Sequence, residues 1–144
     1  MDSTKIQDET EVPGIVILTH GRVGEELIRS AEMIIGKMEK VIAVSLGAGE
    51  DPGDYRERVS NVLAKMPRGS IVMTDLFGGT PSNTAAVLSK DYSVSVISGL
   101  NLPMLIEAVN LRQTLSGEEL AKAVEAAGRD GVKNILEILR QQTD

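Results

Sequence analysis

The chain has 144 residues, a formal net charge of −6 at pH 7, 42% hydrophobic residues and no cysteine. Its length suits one domain with a buried core, and the lack of cysteine excludes disulfides, thiol nucleophiles and cysteine-rich zinc sites. The negative charge and an aromatic content of 2% argue against nucleic-acid binding, which relies on basic patches and stacking rings.

The first residues carry no recognisable targeting signal. Residues 1–11, MDSTKIQDETE, lack the basic segment and the apolar stretch of a signal peptide. No segment of the sequence approaches the roughly 20 apolar residues of a membrane span. We therefore predict a flexible N-terminal tail over residues 1–11, a single domain over residues 12–144, and a cytoplasmic protein that does not insert into the membrane.

Four short aliphatic runs, each bounded by glycine or turn residues, predict β-strands. The first three are nearly continuous, which is typical of strands covered on both faces. The fourth alternates serine with valine and isoleucine, as an edge strand would. The runs are Gly14–Thr19, Val41–Leu46, Ser70–Leu76 and Ser93–Ser98.

Patterns typical of helices lie between these runs. After the first strand, apolar residues recur at the spacing of one helical face, namely Leu27, Ala31, Ile34, Ile35 and Met38. A weaker pattern covers Tyr55–Met66. The segments Pro81–Leu88 and Pro103–Leu111 each open with a proline, which the first turn of a helix tolerates.

The C-terminal part of the chain also has a helical pattern. Ser116 and Glu119 fit a capping box at its start, and we expect Gly128 and Gly131 to bend or break the helix that follows. The order β-α-β-α-β-α-β-α and then helix predicts an α/β fold. Its sheet is expected to be doubly wound and mainly parallel, with helices on both faces.

Ligands of such folds bind beyond the carboxyl ends of the strands, near the point where the strand order reverses. Polar residues and glycine follow three of the predicted strands at these ends. They are Thr19-His20-Gly21 after the first strand, residues 74–83 after the third, and residues 98–103 after the fourth. These three ends are the candidate parts of a site.

His20 is the single histidine of the chain. Asp75, at the end of another strand, could accept a hydrogen bond from one ring nitrogen, which would fix the tautomer and leave the other nitrogen as a nucleophile. Two simpler interpretations stay open at this point. His20 could make structural hydrogen bonds alone, and Asp75 could cap a helix.

The segment Gly78-Gly79-Thr80 predicts an anion-binding turn. The glycines allow a tight turn, Thr80 adds a hydroxyl, and backbone N–H groups at the start of the next helix favour an anion. The same residues are also ordinary turn sequence. A histidine nucleophile, an orienting carboxylate and an anion-binding turn together describe a phosphohistidine site, which requires no metal ion and no cofactor.

Five segments, in this order and spacing, resemble the enzyme IIA component of the mannose class (mannose, fructose and sorbose) in the bacterial sugar phosphotransferase system. The resemblance extends over residues 14–135, and five motifs in register are far more specific than any one of them. The segments are GIVILTHG, AEMIIG, VMTDLFGGTPSN, SGLNLPMLIEAV and GRDGVKNI.

The resemblance implies a phosphotransferase that acts in a phosphohistidine relay. Its histidine, His20 here, would accept a phosphoryl group from the carrier protein HPr and pass it to a IIB protein, which serves sugar uptake and phosphorylation. Asp75 would orient the histidine, and Gly78, Gly79 and Thr80 would bind phosphate. The resemblance also implies a homodimer in which an antiparallel edge strand is exchanged, and we expect the IIB component to be a separate protein.

Two other functions stay open at the level of sequence. The phosphoryl-donor subunit of a dihydroxyacetone kinase has the same fold and a histidine after its first strand, although DLFGGTPSN and GLNLPM are closer to the mannose class. A regulatory module that binds a small anion without catalysis is the second alternative. Covalent labelling by phosphoenolpyruvate, enzyme I and HPr separates this module from the two phosphoryl carriers.

Overall fold

The computed structural model describes residues 11–143, which form a parallel sheet of four strands and six helices. The predicted α/β class and the mainly parallel sheet are therefore confirmed. The strands are β1 (Ile15–His20), β2 (Val41–Leu46), β3 (Ser70–Thr74) and β4 (Val94–Ser98). The helices are α1 (Val23–Ile35), α2 (Pro52–Leu63), α3 (Gly79–Leu88), α4 (Leu102–Leu111), α5 (Gly117–Asp130) and α6 (Ile135–Thr143).

The strand order is β2-β1-β3-β4, and every neighbouring pair is parallel. The chain winds from β1 outward to β2, returns to the far side of β1 for β3, and continues outward to β4. The strand order therefore reverses between β1 and β3. Their carboxyl ends, which follow Thr19 and Thr74, lie side by side at this point, where a doubly wound sheet opens a crevice for a ligand.

Two hydrophobic cores lie on the two faces of the sheet. Ile15 and Ile17 of β1 face the core formed with α1, α4 and α5, whereas Val16 and Leu18 face the core formed with α2 and α3. All four are fully buried. Alternate residues of β1 thus enter different cores, which explains why its sequence is continuously apolar.

The stripe predicted for α1 is correct only in part. Gly24 and Ala31 are buried on this helix, and Leu27 packs partly buried against the core. Ile34, however, is 62% exposed. Successive helical residues are about 100° apart, so that Ile34 lies about 60° from Ala31, on the flank of the buried line.

Two element boundaries differ from the sequence prediction. Helix α2 begins at Pro52 rather than at Tyr55, because Asp51 caps it by accepting a hydrogen bond from the Asp54 N–H and proline suits a first turn. Strand β3 ends at Thr74 rather than at Leu76. The chain leaves the sheet at Asp75, whose side chain reaches across to β1.

The predictions for the C-terminal helices were also partly wrong. Ser116 is the N-cap residue of α5, but its side chain makes no capping hydrogen bond. Instead, the Gly117 N–H bonds to the Gly69 carbonyl. Gly128 stays within α5, where a Cβ would lie only 2.4 Å from Met104 Cε. The break occurs at Gly131, as expected, and α6 follows it.

The described residues begin at Glu11 and end with helix α6. Residues 1–10 of the predicted tail lie outside the described residues, while Glu11 forms an ion pair with Lys40. Helix α6 contains no buried residue, and β4 lies at the edge of the sheet, as predicted. No helix within residues 11–143 is long and apolar enough to cross a membrane.

Candidate active site

The point where the strand order reverses brings His20 and Asp75 together. His20 is the last residue of β1, and Asp75 directly follows β3, the neighbouring strand. His20 Nδ1 lies 2.9 Å from Asp75 Oδ2. The hydrogen bond that the sequence suggested between these two side chains is therefore present in the structure.

The Asp75 carboxylate is held by three hydrogen bonds. Oδ2 accepts one from the His20 backbone N–H at 2.8 Å as well as the contact with the ring, and Oδ1 accepts one from the Leu76 N–H at 3.0 Å. The Asp75 side chain is 18% exposed, whereas that of His20 is 50% exposed. The carboxylate is thus a fixed support, and the imidazole is open to a partner.

These contacts assign the tautomer of the histidine. Burial acts most strongly on the Asp75 carboxyl and raises its pKa, but the hydrogen bonds and the charge of His20, with the Leu76 N–H, together lower the pKa below its ordinary value. An ionised carboxylate can only accept hydrogen bonds. Nδ1 is therefore the donor toward Asp75, so that Nε2 is the nitrogen with the free lone pair whenever the ring is neutral.

The turn that follows β1 is held by a buried hydroxyl. The Thr19 side chain is 1% exposed; it donates to the Gly21 carbonyl and accepts from the Gly24 N–H. Because these bonds bracket His20, they set the direction in which β1 presents the imidazole. The sequence pattern places Thr19 at the strand end but does not indicate this contribution.

The predicted anion-binding turn lies against the free side of the ring. Gly78 is the N-cap of α3, and Gly79 and Thr80 begin the helix. A Cβ on Gly79 would lie 3.0 Å from His20 Cε1 and 3.3 Å from Nε2. Gly79 also has a φ of 80°, so that close packing and backbone conformation both require glycine there.

The start of α3 has unpaired donors. No side chain caps the helix, and Pro81, the third helical residue, has no N–H. The N–H groups of the first turn, which have no partner within a helix, thus remain available at the positive end of the helix dipole. Gly79, which begins this turn, lies beside Nε2. Thr80 is half-buried at the same end. The structure therefore brings all five residues predicted for the site to one place.

The end of β4 has a different role from the one that the sequence suggested. Asn101 caps α4 by accepting from the Met104 N–H, and its amide group donates to the Gly128 carbonyl. These bonds fix the junction of α4 and α5. Asn101 is thus a structural residue, and the hydrogen bonds that join His20, Asp75 and Leu76 do not involve it.

Two exposed apolar side chains lie next to the site. Phe77, between Asp75 and the glycines, is 92% exposed, and its neighbour Leu76 is 50% exposed.

Residues 11–143 contain no group of three or more His, Cys, Asp and Glu side chains that could hold a metal ion. The chemistry available is that of a nucleophilic imidazole supported by a carboxylate and facing a helix N-terminus.

Comparison with known proteins identifies the family. Residues 14–125 match the family model described as the PTS system fructose IIA component, where PTS denotes the phosphotransferase system. The PTS system fructose-specific EIIA component of Bacillus subtilis is 33% identical over 115 residues, which are 78% of this chain and 79% of that protein. The chain therefore belongs to the mannose-class family of PTS IIA components.

Two further relatives agree with this assignment. The PTS system mannose-specific EIIAB component of Escherichia coli K12 is 37% identical over 124 residues, which are 83% of this chain and 38% of that longer protein. The crystal structure of the EIIA component from Streptococcus agalactiae has a TM-score of 0.81 and 32% identity, and the match covers 86% of this chain and 98% of that one. Neither alternative function, the dihydroxyacetone kinase subunit or the regulatory module, is favoured by these matches.

Proposed function

We propose that this protein is a phosphoryl carrier, in which His20 accepts a phosphoryl group from phosphorylated HPr and passes it to a IIB component for sugar uptake. The observation that carries the proposal is the contact between His20 Nδ1 and Asp75 Oδ2 at 2.9 Å. In the neutral form of the ring, this contact places the proton on Nδ1, so that Nε2 carries the lone pair on a half-exposed side chain. Membership of the PTS IIA family supports the same reaction.

In the first step, the lone pair of His20 Nε2 attacks phosphorus, while the phosphorus–nitrogen bond to the donor imidazole breaks. The electrons of the broken bond return to the donor nitrogen. The His20 ring keeps its proton on Nδ1 and becomes a positively charged phosphoimidazolium. The Asp75 carboxylate, already bonded to that proton, stabilises the new positive charge.

The phosphoryl oxygens carry negative charge throughout the transfer, and its stabilisation is the main task of a phosphoryl-transfer site. The unpaired N–H groups at the start of α3 lie beside Nε2 and donate to these oxygens, as does the Thr80 hydroxyl. Gly78 and Gly79 allow the backbone to approach closely. One phosphorus–nitrogen bond replaces another, which keeps the reaction nearly balanced and suits a relay.

The partner proteins are proposed to dock on the surface formed by Leu76 and Phe77. These side chains are 50% and 92% exposed and follow Asp75 directly. An exposed aromatic ring beside a reactive group is typical of a protein–protein contact. Both HPr and the IIB component must reach the same nitrogen, so that they would use this surface in turn.

We also propose that the protein is a homodimer completed by strand exchange. Among residues 11–143, no strand pairs with the outer edge of β4, and exposed edges are normally covered. Helix α6 adds exposed apolar side chains, with Ile135 at 69%, Leu136 at 64% and Leu139 at 50%. Sedimentation at micromolar concentration should give about twice the chain mass of 15.4 kDa, and a monomer would contradict exchange.

The proposed function is tested by phosphorylation with phosphoenolpyruvate, enzyme I and HPr, with omission of HPr as control. We expect one phosphoryl group per chain, stable to base and labile to acid, because the chain has one histidine. His20→Ala should accept none. Full labelling of His20→Ala would contradict the assignment, as would a wild-type protein that stays unlabelled. Transfer onward to a mannose-class IIB protein, but not to a dihydroxyacetone kinase, would complete the test.

A further inference from the structure

Ser82, in the first turn of α3, connects the two residues that flank Asp75. Its hydroxyl bonds to the Leu76 carbonyl and lies 2.7 Å from Thr74 Oγ1. Thr74 comes directly before Asp75 in the chain, and Leu76 directly after it. Ser82 belongs to the polar segment that follows β3, and its place in the sequence indicates no function for it.

The directions of these hydrogen bonds follow from the number of protons. A carbonyl can only accept, so that the single Ser82 hydroxyl proton is donated to Leu76. The Thr74 hydroxyl must then donate to Ser82 Oγ. Thr74 is fully buried, and a buried hydroxyl without a partner is destabilising. Ser82 therefore satisfies Thr74 and restrains Leu76 through one oxygen atom.

The hydrogen bond between Ser82 and Leu76 affects the position of the imidazole through Asp75. The Leu76 N–H donates to Asp75 Oδ1, and its carbonyl accepts from Ser82. Oδ1 is thus bonded to the N–H of a residue whose own carbonyl is held by Ser82. This holds the carboxylate plane, which keeps Oδ2 directed at the backbone and ring of His20.

We propose that Ser82 is a positioning residue for phosphoryl transfer, acting through Leu76 and Asp75 to hold His20 with its proton on Nδ1. The proposal rests on the proposed function of His20 as the phosphoryl acceptor. Loss of the Ser82 hydroxyl frees the Leu76 carbonyl. The backbone of Leu76 then holds its N–H less firmly against Oδ1, and the carboxylate can rotate about its Cβ–Cγ bond. The ring loses its fixed tautomer, and part of the population has a protonated Nε2 that cannot attack.

The test compares Ser82→Ala with two controls. Ser89→Ala removes a hydroxyl at the other end of α3, where it bonds to the Ala86 carbonyl. Thr74→Val removes the buried donor but leaves the bond between Ser82 and Leu76. Ring ¹⁵N chemical shifts of the neutral imidazole measure the Nδ1–H fraction of His20, and rapid quench measures the rate of transfer from phosphorylated HPr.

For Ser82→Ala we expect a mixture of His20 tautomers and a transfer rate about tenfold lower than that of wild type. Both control variants should keep the Nδ1–H tautomer and a transfer rate within about twofold of wild type. An unchanged tautomer and rate in Ser82→Ala would overturn the proposal, as would an equal loss in Thr74→Val. Should Ser82→Ala fail to fold, Ser82→Cys, with a weaker donor, takes its place. If wild type accepts no phosphoryl group, the proposed function fails, and the tautomer still decides the role of Ser82 in holding the ring.

Discussion

Asp75→Asn is the substitution that separates orientation of the histidine from its nucleophilicity. An asparagine has the same shape but offers one acceptor oxygen where Asp75 has two. Asp75 Oδ2 accepts from the backbone and the ring of His20, and Oδ1 accepts from the Leu76 N–H. The amide can satisfy one side only, and a rotation that points its NH₂ group at the ring favours the tautomer in which Nε2 is protonated.

The size of the effect follows from the charge that develops on the imidazole. Two unit charges about 4 Å apart attract each other by about 4 kcal/mol at an effective dielectric constant of about 20. The His20 side chain is 50% exposed, and the ring is only partly charged in the transition state. About 2–3 kcal/mol of stabilisation is therefore lost with the carboxylate, which corresponds to a rate about 10²-fold lower.

The assay is single-turnover transfer from phosphorylated HPr, measured by rapid quench. Asp91→Asn, an exposed residue beyond α3, makes the same chemical change away from the site and should transfer at the wild-type rate. We expect Asp75→Asn to fold, to sediment with the same mass as wild type, and to become labelled slowly at His20. Equal rates for Asp75→Asn and wild type would refute the reasoning and reduce Asp75 to a residue that shapes the turn.

Three further predictions concern the glycine turn, acid stability and docking. Gly79→Ala should lower the transfer rate by tenfold or more, because its Cβ would lie 3.0 Å from the imidazole Cε1. Gly99→Ala is the control, because Gly99 has a similarly positive φ but no atom within 4 Å of the added Cβ. This variant should lose comparable stability and keep its transfer rate. The pKa of Asp75 is held below its ordinary value of 3.8, so that its contribution to stability is present above about pH 4 and is lost as the pH falls through the lowered pKa. Urea titrations should show that the difference in unfolding free energy between wild type and Asp75→Asn shrinks below about pH 4. A difference that stays constant with pH would contradict this linkage. Phe77→Ala, which removes a ring that is 92% exposed, should raise KM for phosphorylated HPr several-fold at unchanged kcat, and an unchanged KM would exclude Phe77 from the docking surface.

The fold could be predicted well from the sequence, because continuous apolar runs indicate strands that are buried on both faces of a sheet. Continuous runs such as Ile15–Leu18 require two cores, and alternation with helices then requires parallel strands. The same logic predicted that His20 and Asp75 would meet, since the carboxyl ends of neighbouring parallel strands lie at one edge of the sheet.

The parts that the sequence did not predict depend on how the elements pack. Ser82 and Thr19 carry ordinary hydroxyls, and their hydrogen bonds exist only once α3 and α1 have packed against the sheet. Ser116 looks like a capping residue by spacing, yet the Gly69 carbonyl bonds to the helix start instead. Ile34 fits the periodicity of α1 but lies at the edge of the face that α4 and the sheet cover.

The central claim is that Nε2 of His20 carries the phosphoryl group while Nδ1 keeps its proton, which is hydrogen-bonded to Asp75. It is tested most directly by NMR on protein labelled with ¹⁵N in the histidine ring and phosphorylated through HPr. We predict a ³¹P–¹⁵N coupling to Nε2 and a proton on Nδ1. A coupling to Nδ1, or phosphate on any other residue, would contradict the account.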